Sequence, residues 1–584
     1  MIKFLTRSPV VSSMKTVGAM ALGQIKKIGS RGDRRGLGLK AFMLILVLGL
    51  GSMLNESFVE YRDTVRNAGI EVEGEVNQQS LPSVVPMIGQ GLGVFLALVA
   101  FLTSLWVTER LNEERRSSII VIALWIAAIA SLVAWLPADI LATKQAISGK
   151  AFAGETPSIP AYLGKLFFIS LLLLSVPVAA MIYFRLSLMD RYVVHSFLSP
   201  FSFCLFSFIA IWVIADLTDN AAAFAGLPIS RMLTFYVVQV PFVILFVMPI
   251  VTLLSALFSL SKMSKANEFI SMIGSGRSVI RVLMPIFIIG AYCSLVSLAF
   301  KYDWAPLSVG YKEAIMETAK QDSYALKEGT VINKDIWAKR GWMHVNEVDR
   351  RTWFVGKIPL NLSDEMADVV VWQLKENDQP AKIRKAKRAK WVWDALPPKW
   401  VMTDVFVYEY DEQQIPKISS SAHLEIVDWS ETPWKVLSSS QNPDFLGVPG
   451  LNMYLNAHAK SDQRSLAPFR TNWWYIFAEP AACFALVLVA APLGIVYSRK
   501  GVMGGVAGAI GVFALMYVMR GSLLALGHRG TLSPFVAAWG TNFVVAGIGV
   551  LLLWFRARNR DVPKIGDLIK DGLKRIGSRN SSAS

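Results

Sequence analysis

Two periods of apolar and polar positions run through this chain. Ten long apolar stretches fall at residues 37–55, 85–106, 118–136, 162–184, 196–217, 236–260, 279–300, 473–497, 502–526 and 535–555. A helix needs about 20 mostly apolar residues to cross a bilayer, so each stretch predicts a membrane span. The last six are divided three and three by residues 301–472, which are too polar to cross. Inside that insert the apolar positions alternate instead, at 335–337, 352–358, 368–374, 390–393 and 399–410, with Asp, Asn, Pro and Gly between the runs. A period of two is the pattern of strands, and short strands with no helix between them predict a sandwich or jelly roll. The expected fold is a polytopic α-helical membrane protein of about ten spans with an inserted all-β, jelly-roll-like domain.

Charge orients the spans. Short loops that stay in the cytoplasm are enriched in Lys and Arg. Lys26, Lys27, Arg31, Arg34 and Arg35 precede the first stretch, and Arg110, Arg115 and Arg116 follow the second. Arg185 and Arg191 follow the fourth, Lys262, Lys265, Arg277 and Arg281 flank the junction of the sixth and seventh, and Arg499 and Lys500 follow the eighth. Both termini are therefore expected in the cytoplasm, and the insert is expected to face outward. The regions read as a basic N-terminal segment (1–36), four spans (37–188), three spans (189–300), the β insert (301–472), three more spans (473–556) and a basic tail (557–584). Basic loops beside anionic lipid account for the net charge of +16 without a nucleic-acid partner.

Little in the composition points to catalysis. The three cysteines, Cys204, Cys293 and Cys483, all lie in apolar stretches, and the five histidines show no metal-ligand spacing. No GxxxxGK[ST] loop is present, so the chain has no evident means of holding nucleotide phosphates. No catalytic residue, cofactor or metal is expected.

Two sets of residues stand out. The polar segment 261–278 lies between the sixth and seventh stretches on the cytoplasmic side, and a short helix from Ser264 to Ile273 is expected there. Ser264 would be its N-cap, Glu268 would lie on its exposed side, and Gly276 would turn the chain back. Glu268 reads either as a solvated loop carboxylate or as a contact for an arginine on a cytosolic partner. The second set is the charges inside spans, which are costly and usually functional. Asp216 and Asp219 lie at the outward end of the fifth stretch. Arg520 lies about 27 Å from the cytoplasmic start of the ninth, at about 1.5 Å per residue. Arg520 reads either as a contact for a lipid phosphate or as an ion-pair partner of Asp216.

The insert leaves two further choices. Ten of the 18 tryptophans fall between Trp304 and Trp434, forming either an aromatic core or an apolar lumen for acyl chains. The basic run from Lys382 to Lys390 reads as a solvated strand face or as a contact for anionic sugars and phosphates.

Four blocks carry a resemblance. They are Met189-Asp190-Arg191-Tyr192; Asn267-Glu268 with Gly276 and Ser278; Ala491-Pro492-Leu493-Gly494 with Arg499 and Gly501; and Leu526-Gly527 with Leu532, Pro534, Ala538-Trp539 and Asn542. In order and spacing this set resembles the LptF/LptG (YjgP/YjgQ) family of lipopolysaccharide-export permeases, from about Met189 to Phe555, with the insert where that family has its jelly roll. The resemblance implies a transport subunit without its own ATPase. Its expected partners are a cytosolic ABC ATPase dimer that binds the ATP, a second LptF/LptG-like permease, a periplasmic jelly-roll bridge protein, and lipopolysaccharide or a related glycolipid as cargo. It also implies that Asn267, Glu268, Gly276 and Ser278 form the ATPase contact. The chain departs from the family at Asp216, where better-known members carry a basic residue near the end of their first helix. The four N-terminal spans have no counterpart in the resemblance. Two other classes stay open: a scaffold whose β domain binds periplasmic partners, and a lipid- or glycan-modifying membrane enzyme.

Overall fold

The computed structural model describes residues 37–68, 84–110, 113–149, 154–224, 229–313, 315–316, 337–346, 349–359, 364–375, 379–411, 415–438, 442–459, 463–495 and 502–558. The basic N-terminal segment, the tail beyond 558, Asp335, Arg499, Lys500 and Gly501 lie outside the described residues. Ten of the described helices are long and apolar enough to cross a membrane, one at each apolar stretch of the sequence. The chain forms two compact units, one of residues up to Lys144 with Ile169–Leu186, the other of Gln145–Phe168 with everything from Ser187 onward.

The first unit contains helices α1 (Leu37–Ala68), α2 (Val85–Arg110), most of α3 (Glu113–Ile147) and the later part of α4 (Ile159–Arg185). Met43 and Val47 of α1 pack with Ala97, Ala100 and Phe101 of α2 and with Ala123, Ala127, Ala130 and Ala134 of α3. So many alanines let helix backbones approach closely, which is how helices associate where lipid removes the hydrophobic incentive.

The second unit holds α5 (Leu188–Asp219), α6 (Ile229–Lys265), the short α7 (Glu268–Gly274) and α8 (Val279–Ala299), which runs into a π-turn at Phe300–Trp304. After the sheet come α9 (Val448–Ala457), α10 (Gln463–Gly494), α11 (Val502–His528) and α12 (Pro534–Ala557). The apolar helix that starts at Val279 continues to Glu313, past the expected end of its span at 300. Lys301 and Asp303 do not end it because each has a partner of opposite charge, Glu479 at 2.7 Å and Lys165 at 3.3 Å.

The insert's six described strands are β1 (Trp337–Asn346), β2 (Arg351–Pro359), β3 (Met366–Leu374), β4 (Pro380–Val392), β5 (Lys399–Tyr410) and β6 (Pro416–Ile426). They form one antiparallel sheet in sequence order. The two-residue period is visible in the register: Val355, Val369, Ala386 and Val405 face one another across four strands and are all buried. The inserted β domain expected from the sequence is thus present as this six-stranded sheet. Its apolar face is covered by Trp429, Trp434, Val436, Leu437 and Leu451, from the chain that follows β6. Trp353 and Trp400 are completely buried, with ring centroids 5.0 Å apart, and Trp391 and Trp429 pack on them at 5.3 and 5.0 Å. At this level the tryptophans form a packed core rather than an open lumen. β6 is exposed along nearly all its length.

His344 of β1 is buried beside this core, and burial pushes its imidazole down to about 4. Glu431 pulls it upward more weakly, and His458 adds a small downward push. The unfolded chain takes up a proton near 6.5 and the native domain not until about 4, so stability is full above 6.5 and falls as pH drops towards 4. Urea unfolding followed by tryptophan fluorescence should show His344→Gln losing less stability than the native protein between pH 7 and pH 4.5, by about 2 kcal/mol.

Candidate functional site

Three of the four sequence blocks meet or adjoin one corner of the second unit, where α6 ends, α7 follows and α8 begins. The expected N-cap differs. Ser264 is buried in the last turn of α6, and Asn267 caps α7 from the left-handed region, with φ 57° and no side-chain cap bond. Asn tolerates that backbone better than most residues, which lets the chain break between the helices without a glycine. Phe269 and Met272 of α7 are buried in one apolar cluster with Leu257, Leu260 and Met263 of α6 and with Val282 and Leu283 of α8. Ile270 stays exposed, and Glu268 is half-buried. Gly276, at φ +91°, reverses the chain as expected. Ser278 then caps α8 and accepts a hydrogen bond from the Arg281 amide at 3.3 Å.

The start of α5 is pinned to this corner. Asp190 has its carboxylate nearly buried, 3.2 Å from Arg277 and 3.7 Å from Arg281, and it accepts a bond from the Ser187 hydroxyl at 2.8 Å. Two residues on, the Tyr192 hydroxyl donates to Glu268 at 2.7 Å. Asp190 and Tyr192 entered the sequence reading only as parts of a block, and nothing in their spacing pointed to these partners. The structure brings together Asn267, Glu268, Gly276 and Ser278, and adds Asp190, Tyr192, Arg277 and Arg281 to them.

The charges inside the spans pair differently from the sequence expectation. Arg520 and Asp216 are not partners. Asp216 receives Lys312 at 3.0 Å, and the Lys312 ammonium also lies over the rings of Trp212 and Phe235 at 5.4 and 5.8 Å. Arg520 lies 3.7 Å from Glu479 and over the ring of Tyr517 at 4.6 Å. Lys301 meets the same Glu479 at 2.7 Å, so two cations share one carboxylate and the cluster keeps one excess positive charge. The reason is reach. Glu479 of α10 stands next to Pro480 in a helix that packs against α8 and α11, whereas Lys312 is carried towards α5 by the extension of α8 beyond 300. Glu479 was missed because an acidic residue in a strongly apolar stretch was not counted; its presence there was the usable sign. Asp219 is exposed.

In the basic run of β4, Lys382 pairs with Glu409, Arg388 lies 3.4 Å from Glu365, and Arg384 bonds to Gln373 at 3.3 Å and covers the ring of Trp429 at 5.2 Å. Lys385, Lys387 and Lys390 remain exposed. Among the described residues no group of His, Cys, Asp or Glu could hold a metal ion.

The model of the family described as "Lipopolysaccharide export system permease LptF/LptG" matches residues 191–555, which takes in α5 to α12 with the sheet and leaves α1 to α4 outside it. No curated protein matches the chain. With well over half its length under that one match, the chain belongs to the LptF/LptG family of lipopolysaccharide export permeases.

Proposed function

We propose that this chain is the membrane permease subunit of an ATP-driven exporter of lipopolysaccharide or a related glycolipid. A cytosolic ABC ATPase dimer moves it, a second LptF/LptG-like permease completes its lateral cavity, and its β domain hands the lipid to a periplasmic jelly-roll bridge protein. The observation that carries this reading is the α7 corner. Glu268 is available at the surface, while Phe269 and Met272, one and four residues on, are embedded among α6 and α8. A push on α7 therefore moves membrane helices rather than a loose loop.

Basic residues on both sides of α7 (Lys262, Lys265, Arg277, Arg281) support a cytoplasmic side for this corner and, with an odd number of spans between, a periplasmic side for the β domain. The protein is then a multi-pass inner-membrane protein with both termini inside. The Lys301–Glu479–Arg520 cluster keeps its excess positive charge near the outward edges of three apolar stretches, which suits a lipid phosphate. Lys312 returns a cation to the place where Asp216 departs from the family. Exposed β6 offers an edge for strand addition by the bridge.

Purification in mild detergent, followed by mass spectrometry of bound proteins and lipids, tests the proposal. An ABC ATPase, a second permease and a glycolipid should co-purify; recovery of the chain with none of them would overturn it.

A further inference from the structure

We propose that residues 154–168, the end of the joint between α3 and α4 with the first turns of α4, are a permanent strap. The strap holds the base of the β domain against the end of α8, and supplying it is a contribution of the extra N-terminal helices to this permease. The inference goes beyond the export reading and does not depend on it.

Among the described residues the strap touches the π-turn, the segment after β6 and α9. Its centre is Tyr302 in the π-turn, which is 5% exposed and donates its hydroxyl to the Ala161 carbonyl at 3.0 Å. Gly164 is what admits that ring: a Cβ there would stand 2.2 Å from the Tyr302 hydroxyl. Phe168 packs on the same ring at 5.0 Å, and Lys165 pairs with neighbouring Asp303 at 3.3 Å. Further along, Glu155 accepts from Thr432 at 2.9 Å, beyond β6. The Ser158 hydroxyl accepts from Asn452 of α9 at 3.2 Å, and Asn452 in turn accepts from the indole of Trp473 in α10 at 2.8 Å.

Burial decides between a fixed strap and a latch that opens at each turnover. Ala161 and Tyr302 belong to the same continuous apolar cluster as Trp353, Trp400 and Leu451. Lifting the strap would tear that cluster and strand the Tyr302 hydroxyl away from its acceptor, and buried polar groups without partners are costly. The Lys165 and Asp303 side chains are only 14% and 10% exposed, so their pair is shielded from the solvent that weakens surface pairs. A fixed attachment follows.

The full chain in mild detergent tests this with two readouts that need no transport. In Ser158→Cys/Asn452→Cys, a short bifunctional thiol reagent should link the two positions, seen as a single cross-linked peptide by mass spectrometry; the three native cysteines are buried. Hydrogen exchange should find amides 161–168 as slow as those of β3. Gly164→Leu should speed exchange at least tenfold in 161–168 and 300–304 while β3 stays protected. If that variant does not fold, Lys165→Met should produce the same local pattern at smaller amplitude. Failure to cross-link, exchange in 161–168 as fast as in an exposed loop, or exchange at 300–304 indifferent to both substitutions would each overturn the strap. None of these readings requires an ATPase or a glycolipid, so a failure of the export proposal would register separately.

Discussion

Glu268→Arg is expected to leave the protein folded and to disconnect ATP hydrolysis from lipid delivery. The side chain is half-buried at the first position of α7, and its bonded partner is the hydroxyl of Tyr192. Reversing an acidic charge in the first turn of a helix costs about 0.3–1 kcal/mol, too little to unfold a unit of this size. α7 stays seated because Phe269 and Met272 hold it. The loss falls on the partner. On the proposed contact with an arginine of the ATPase, a second cation in place of the carboxylate removes an interfacial charge pair and adds repulsion, about 2–5 kcal/mol, or roughly 30-fold to several thousand-fold in coupled delivery. Proteoliposomes carrying the assembled exporter would read hydrolysis and glycolipid release side by side. Hydrolysis should persist while release falls; normal release by the variant would remove Glu268 from the mechanism.

The second large effect is expected in the β domain, at Glu431→Ala. Glu431 is 1% exposed and grips Arg351 of β2 through two bonds of 2.9 Å, while its Oε1 also accepts from Asn346 of β1 at 2.8 Å. Its backbone carbonyl accepts from the Trp400 indole at 2.7 Å. The segment after β6 is thereby locked to both ends of the sheet. Truncating Glu431 leaves the Arg351 guanidinium, nearly buried over the ring of Trp429, with Asp349 as its remaining carboxylate. Breaking a buried pair from one side costs about 3–5 kcal/mol, whereas replacing both partners with apolar residues of similar volume is often neutral. Urea unfolding followed by tryptophan fluorescence should show the large loss for Glu431→Ala and a much smaller one for Arg351→Met/Glu431→Leu. Equal losses in the two would mean that packing, not the unpaired charge, sets the cost.

These residues mark how far the chain could be read before its structure. The local settings of Glu268, at a helix start, and of Gly276, in a backbone conformation that glycine favours, were legible because neither depends on distant partners. The cap was misplaced by three residues, at Ser264 instead of Asn267, because α6 runs on as a buried helix where its polar sequence suggested an end. Of the two readings open for Arg520, the pairing with Asp216 is the one the structure excludes, since each has another partner. The sequence shows that a charge in a span requires a partner, and it is silent on which neighbouring helix supplies one. Glu431, after β6, and Arg351, on β2, carried no pattern at all.

What the sequence by itself determined is everything set within a few residues along the chain: ten apolar helices, alternating strands, the turn at Gly276 and the family blocks. Apolar periodicity dictates these because each element must bury one face or meet lipid on all of them. Only the tertiary structure decided the partnerships. Tyr192 meets Glu268 across 76 positions, Arg351 meets Glu431 across 80, and Ser158 meets Asn452 across 294. Such contacts follow from how helices and sheet pack as solids, and no local rule of spacing encodes them.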